Sequence, residues 1–181
     1  IYMPTGSDGT VLVIDTGTNT VTATVPVGKD PWTRPVALPD GSAVYIANDR
    51  DGTVSVIDTS SNTVTDTIPV GEGPWYPVVL PDGSAVYVPN HGDGTVSVID
   101  TATNIVTATI RVSSGPQGLE FWVPVVSPDG SAVYIPIEGD DTVAVIDTGT
   151  NTVTATVPVG GGPAFPVALP DGSAVYVASY V

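Results

Sequence analysis

The chain has 181 residues, of which 41% are hydrophobic and only 13% charged, so it carries enough apolar material for a core. Its net charge of −15, from 19 acids against Lys29, Arg34, Arg50 and Arg111, repels phosphate backbones and anionic lipid surfaces and argues against nucleic-acid or membrane-surface partners. The absence of cysteine excludes disulfides and thiolate metal sites, and no apolar stretch reaches the roughly 18 residues that a membrane-spanning helix needs.

Two short words recur along the chain. Val-Ile-Asp-Thr occupies 13–16, 56–59, 98–101 and 145–148, and Pro-Asp-Gly begins at Pro39, Pro81, Pro128 and Pro170. Successive copies lie 42, 43 or 47 residues apart. A period of that size, built from Val- and Thr-rich runs, predicts a propeller or solenoid in which each unit buries its faces only by stacking on its neighbours. A start at Ile1 without a basic-then-apolar leader is expected of a processed product or of part of a longer one.

In chain order, the first predicted strand lies around Tyr2 and the second carries the first Val-Ile-Asp-Thr. A third strand follows, in which Val21, Ala23 and Val25 are expected to face a core while Thr20, Thr22 and Thr24 face water. The next unit is complete. An inner strand over 35–38 is closed by the turn Pro39-Asp40-Gly41, where proline presets φ and glycine supplies a positive one. The second strand is AVYIAN (43–48), and a tight turn at 49–52 leads to TVSVID (53–58). A turn at 59–63, with Asn62 suited to the left-handed conformation, leads to TVTDTIPV (63–70). The middle strands are apolar at nearly every position, as expected when both faces are covered. The last strand alternates and holds Pro26, Pro69 and Pro158 in three of its four copies, as an outer edge allows.

These segments, PVALPDG, VYIAN, TVSVIDT and TVTDTIPVG, resemble the YVTN family of β-propeller repeats over essentially the whole chain. The departures are a serine before Pro-Asp-Gly only at Ser127, and prolines at Pro4, Pro89 and Pro136 in the second strand. The resemblance implies an all-β propeller and a microbial cell-surface or secreted setting. It implies no shared catalytic apparatus. The expected architecture is a single domain, 1–181, of four repeats of a four-stranded antiparallel blade with one extra terminal strand. The units run about 1–34, 35–76, 77–123 and 124–165, with closing strands at 166–181.

The strand count does not close evenly. Inner strands begin near Pro35, Pro77, Pro124 and Pro166, whereas second strands recur five times, around Tyr2, Tyr45, Tyr87, Tyr134 and Tyr176. Closure is expected to bring residues 165–169 onto the three N-terminal strands, leaving either 1–4 or 174–181 spare. A spare strand is an unpaired edge, and edges recruit partners. Four arrangements satisfy this count: a self-closed four-blade ring, two chains sharing an eight-blade ring, head-to-tail strand complementation, or part of a larger propeller. Ile1, Tyr2, Met3, Val175, Tyr176, Val177 and Tyr180 are the strand-exchange candidates.

The aromatic residues mark a second candidate site. Trp32, Trp75, Trp122, Phe121, Phe165 and Tyr76 all fall between an outer strand and the next inner strand, with Arg34 and Glu120 among them. The third such connection, 113–123, is expanded by five residues. These connections are expected at the mouth of the central channel, where rings could stack on a carbohydrate or small ligand, or simply seal the hub. The acidic turns at 49–52, 91–94 and 138–141 and the recurring Asp15, Asp58, Asp100 and Asp147 read as turn-formers rather than calcium ligands. His91, the only histidine, reads as a solvated turn residue, and no nucleophile motif accompanies it. The expectation is a non-catalytic, extracellular or cell-surface module of structural or adhesive assembly, without metal or cofactor, whose partner is itself in a homo-oligomer or filament; the alternative is a carbohydrate- or small-ligand-binding propeller using the aromatic channel mouth.

Overall fold

The computed structural model describes residues 1–113 and 123–180, and within them seventeen strands form five antiparallel sheets. The first sheet is β1 (Tyr2–Pro4), β2 (Thr10–Asp15) and β3 (Thr20–Pro26). The second is β4 (Val36–Ala37), β5 (Ala43–Asn48), β6 (Thr53–Asp58) and β7 (Thr63–Pro69). The third is β8 (Val78–Val79), β9 (Ala85–Asn90), β10 (Thr95–Asp100) and β11 (Ile105–Arg111). The fourth is β12 (Val125–Val126), β13 (Ala132–Ile137), β14 (Thr142–Asp147) and β15 (Thr152–Pro158). The fifth holds only β16 (Pro163–Ala168) and β17 (Val175–Ser179).

Each sheet is a meander whose neighbours in sequence are neighbours in space. The sheets stack face to face, β4, β8, β12 and β16 along the inside and β3, β7, β11 and β15 along the outside. The core is accordingly three slabs. Val11, Val13 and Val25 meet Val44, Ile46 and Ile57 between the first and second sheets. Tyr45, Val54, Val56 and Ile68 meet Val86, Val88 and Ile99 across the next boundary. Tyr87, Val96, Val98 and Ile110 meet Val133, Ile135, Ile137 and Ile146 across the third. The near-continuous apolar runs of the middle strands thus serve two slabs at once.

The expected closure of 165–169 onto the N-terminal strands does not occur. Residues 163–168 form β16, which pairs with β17 in a hairpin, Val167 opposite Tyr176 and Ala168 opposite Val175. The local Pro170-Asp171-Gly172 turn holds that hairpin, with Leu169 N donating to Ala174 O at 2.9 Å. A hairpin closes at far less entropic cost than a pairing with the opposite end of the chain. Among the described residues no strand pairing joins the first and last sheets.

A second correction concerns the outer strands. Each of the four carries a β-bulge against its partner, as between Val13 and Ile14, where Val13 faces Ala23 but Ile14 faces Val21. The bulged residues Thr22, Thr65, Thr107 and Thr154 turn their hydroxyls to the carbonyls of Val13, Val56, Val98 and Val145 at 3.3 to 3.4 Å. The extra residue shifts the alternation by one. Val25 and Ala23 therefore face the second sheet, while Val21 turns to the opposite, exposed side. In the second sheet the same shift sends Val64 to the preceding slab and Ile68 to the following one.

The two repeated words touch each other. The Thr that ends Val-Ile-Asp-Thr donates its hydroxyl to the glycine carbonyl of Pro-Asp-Gly in its own sheet: Thr59 to Gly41 at 2.6 Å, Thr101 to Gly83 at 2.6 Å and Thr148 to Gly130 at 2.7 Å. The aspartates before them cap the next turn, Asp58 Oδ1 accepting from both the amide and the hydroxyl of Ser61 at 2.8 Å. Asp15, Asp100 and Asp147 do the same for Thr18, Thr103 and Thr150. The serine after each Pro-Asp-Gly completes that turn, Ser42, Ser84, Ser131 and Ser173 donating to Asp40, Asp82, Asp129 and Asp171.

Candidate functional site

The inner strands β4, β8 and β12 wall a cavity of about 340 Å³ at the hub. Arg34, Tyr76 and Val123 enter it from one end, each followed by a proline (Pro35, Pro77, Pro124) that starts the inner strand. Tyr76 and Phe165, at equivalent places before a proline, sit in the left-handed region at φ 38° and 46°. A bulky side chain there, before proline, is costly, about 1–3 kcal/mol.

Of the aromatic candidates among the described residues, only Tyr76 reaches this cavity, together with Arg34. Trp75 lies beside it, its ring centroid 5.4 Å from Tyr76 and 5.1 Å from His91. Trp32 is 66% exposed, and its ring lies over Gly6, so closely that a Cβ there would come within 2.6 Å. Phe165 is exposed on β16. Glu120, Phe121 and Trp122 lie outside the described residues.

His91 is not the free turn residue that the sequence suggests. Its Nε2 lies 3.0 Å from Asp49 Oδ1 in the adjacent sheet, and the Trp75 ring covers it. The acidic turns also tie sheets together. Asp51 accepts from the Lys29 amide at 2.8 Å, Asp93 from the Glu72 amide at 3.1 Å and Asp141 from the Gly162 amide at 3.1 Å. These carboxylates therefore spend their lone pairs on backbone. Among the described residues no group of three or more His, Asp or Glu side chains is arranged to hold a metal.

Two further ties were not visible in the sequence. The Asn that ends β5 and β9 is buried in both: Asn48 Nδ2 donates to Thr53 and Ser55 hydroxyls, and Asn90 Nδ2 to those of Thr95 and Ser97, at 2.9 to 3.0 Å. In the fourth sheet Ile137 and Ala144 replace Asn and Ser, and the hydroxyl of Thr142 is left buried without a partner.

The tyrosines of the middle strands latch each sheet to the next. Tyr2 Oη donates to Asn62 Oδ1 at 2.7 Å, Tyr45 to Asn104 at 2.7 Å and Tyr87 to Asn151 at 2.6 Å. The acceptors lie in left-handed turn positions at φ 53° to 54°, and Asn19, at φ 56°, has the same conformation in the first sheet. Burial pushes Tyr45 and Tyr87 up to about 12, with the charge of Asp66 and then Asp100 adding to Tyr45 and that of Asp147 to Tyr87. Among the described residues no tyrosine donates to Asn19 and no turn asparagine accepts from Tyr134.

The strand-exchange candidates lie at the two open ends. Tyr2 and Met3 are on β1, and Val175, Tyr176 and Val177 on β17; each of these strands is the unpaired edge of its sheet. Ile1, Met3, Tyr176 and Tyr180 are exposed. The contrast along the outer strands is sharper: Val25, Ile68 and Ile110 are 3%, 4% and 6% exposed, but Val157 at the equivalent place is 44% exposed. A groove of about 260 Å³ runs there between Tyr134, Val143 and Val157 of the fourth sheet and Val175 and Val177 of the fifth.

Stacked four-stranded meanders with short inner strands around a hub are the class of β-propellers. The chain belongs to the YNCE-like beta-propeller family, whose model matches residues 21–129. It is similar to a solved structure of Kuenenia stuttgartiensis hydrazine synthase, at 27% identity and a TM-score of 0.87, over 97% of this chain and 51% of that one. The chain thus spans about half the length of that structure. No curated protein sequence matches it. No helix among the described residues is long and apolar enough to cross a membrane.

Proposed function

We propose that the chain is a non-catalytic structural module, extracellular or cell-surface, that self-associates through its incomplete end sheets. The observation that carries this reading is the Val157 groove, an apolar face beside the unpaired edge of β17, whereas the three boundaries among the first four sheets are sealed over Val25, Ile68 and Ile110. In this reading the chain is four repeats of a four-stranded blade with one second strand in excess, β1 and β17 being its two copies. The part shared with hydrazine synthase is read as propeller framework rather than a reaction centre. The test is the native mass of the full chain and of a chain lacking residues 174–181, by light scattering. An oligomer that reverts to monomer on deletion is expected; an unchanged mass overturns the reading.

A second reading has its own observation, the hub cavity where Arg34 and Tyr76 converge beside the Trp75 ring. It makes the module a carbohydrate-binding propeller, with rings stacking on sugar faces and the guanidinium on hydroxyls. Replacing Trp32, Trp75 and Trp122 with Ala is then expected to abolish retention on a panel of immobilised oligosaccharides while leaving the native mass alone. Unaltered retention counts against it.

A further inference from the structure

The two open ends are complementary in a specific way. Among the described residues the fifth sheet has an inner and a second strand, β16 and β17, and no third and fourth; the first sheet has a third and fourth strand, β2 and β3, beside the three-residue β1 and no inner strand. The groove beside Val157 and Val177 is the space that a third and fourth strand fill at each internal boundary. The latch is split the same way, with the donor Tyr134 at one end and the acceptor Asn19 at the other.

We propose that the groove is filled by β2 and β3 of a second copy of this chain, β17 of one copy taking the place of β1 in the other, and that two such seams close a two-chain ring of eight four-stranded blades. This rests on the self-association reading above and adds its partner surface, register and closure. Eight blades lie at the upper end of the usual range, and two copies match the length of a structure of which one copy covers 51%. The register follows from the internal sheets. Tyr45 faces Val56 and Ile46 faces Ser55, as Tyr2 faces Val13 and Met3 faces Leu12. At the seam Tyr176 therefore faces Val13 of the other copy, and Val177 faces Leu12. Tyr134 donates to Asn19 of that copy, and Tyr176 takes over the Asn62 acceptor that Tyr2 uses within one chain. In this exchange β17, over Val175–Ser179, takes over the pairing that Ile1–Thr5 makes with β2 within one chain, including the backbone bonds of Ile1 to Ile14 and of Thr5 to Thr10. Both copies carry −15, so the seam forms against repulsion and added salt strengthens it.

The absence of native cysteine makes the register directly testable. Val177→Cys and Leu12→Cys are placed on separate full-length chains, mixed and oxidised; paired strand positions lie within disulfide reach. A covalent dimer is expected from this pair and not from Ala178→Cys with Leu12→Cys, where a one-residue slip points the thiols to opposite faces. In the unlinked protein, twice the chain mass is expected, and Tyr134→Phe or Asn19→Ala is expected to weaken dimerisation roughly tenfold through two lost hydrogen bonds per ring. A monomer at every concentration and salt overturns both this inference and the self-association reading. An oligomer that shows no preference between the two cysteine pairs, or that ignores Tyr134→Phe and Asn19→Ala alike, overturns the seam while leaving self-association standing.

Discussion

The hydroxyl of Tyr87 donates to Oδ1 of Asn151 at 2.6 Å, across a sheet boundary and 64 residues of chain. The asparagine does two jobs at once. It takes the left-handed conformation that ends its hairpin, and it presents the acceptor that ties that hairpin to the sheet behind it. The two jobs separate by substitution. Asn151→Gly keeps the turn and loses the acceptor, so it is expected to cost about 1–2 kcal/mol, the range for a half-buried hydrogen bond whose donor is left behind. Tyr87→Phe is expected to cost about the same, and the double variant little more than either, read by urea denaturation as a mutant cycle.

The orphaned hydroxyl of Thr142 predicts the opposite sign. Thr142→Val removes a buried polar atom that has no partner and is expected to hold or raise stability, by up to about 1 kcal/mol. Thr95→Val, the same change one sheet earlier, removes the acceptor for Asn90 Nδ2 and is expected to cost about 1–3 kcal/mol. Thermal melts of the two variants side by side check the reversal.

Close approach and backbone conformation separate at two glycines. A Cβ on Gly71 would come within 2.5 Å of Asp93 Oδ2 and 2.6 Å of Asn90 Nδ2, so Gly71→Ala displaces the inter-sheet tie itself. A cost of about 2 kcal/mol or more is expected. Gly41 has nothing within 4 Å but stands at φ 74°, so Gly41→Ala is expected to cost only about 1 kcal/mol, from conformation alone. Denaturant midpoints at constant slope distinguish the two.

Stability should fall at both ends of the pH scale, by different groups. Asp58 is held down to about 2 by the Ser60 hydroxyl and then the Ser61 amide, and Asp129 to about 2 by the Ser127 hydroxyl and then the Ser131 amide. A carboxylate depressed in the folded state contributes fully above its ordinary value near 4 and loses that contribution as pH falls toward 2. Tyr45 and Tyr87, pushed up to about 12, contribute fully below pH of about 10 and lose it as pH rises through 12. Denaturant titrations across pH are expected to show Ser127→Ala reducing the acid arm by the share of Asp129, and Tyr45→Phe with Tyr87→Phe shrinking the alkaline arm, to which Tyr2, also raised by burial, still contributes.

Much of this fold was legible because the repeat writes each strand at least four times over. Strand positions, the Pro-Asp-Gly turns and the Asp caps follow from spacing and turn chemistry. The bulges at Thr22, Thr65, Thr107 and Thr154 were hidden because a Thr/Val alternation looks unbroken whether or not one residue is skipped. The Tyr–Asn latch was hidden because its partners are about sixty residues apart and each residue has a sufficient local explanation, tyrosine in a strand and asparagine in a turn. His91 misled for the same reason: its place in a turn says nothing of Asp49 in the sheet beside it. Closure was misjudged because counting strands does not say that residues 163–168 are already committed to their own hairpin.

The ties recur at the three boundaries among the first four sheets: a tyrosine to an asparagine, a turn aspartate to the loop that precedes its sheet, a valine or isoleucine beneath the next meander. None of them records whether a sheet is second or third in line. Such an architecture can be lengthened or shortened by one unit with every new junction already compatible. Ring size in this kind of protein is then a heritable count, open to change by whole blades, while the chemistry of each junction stays fixed.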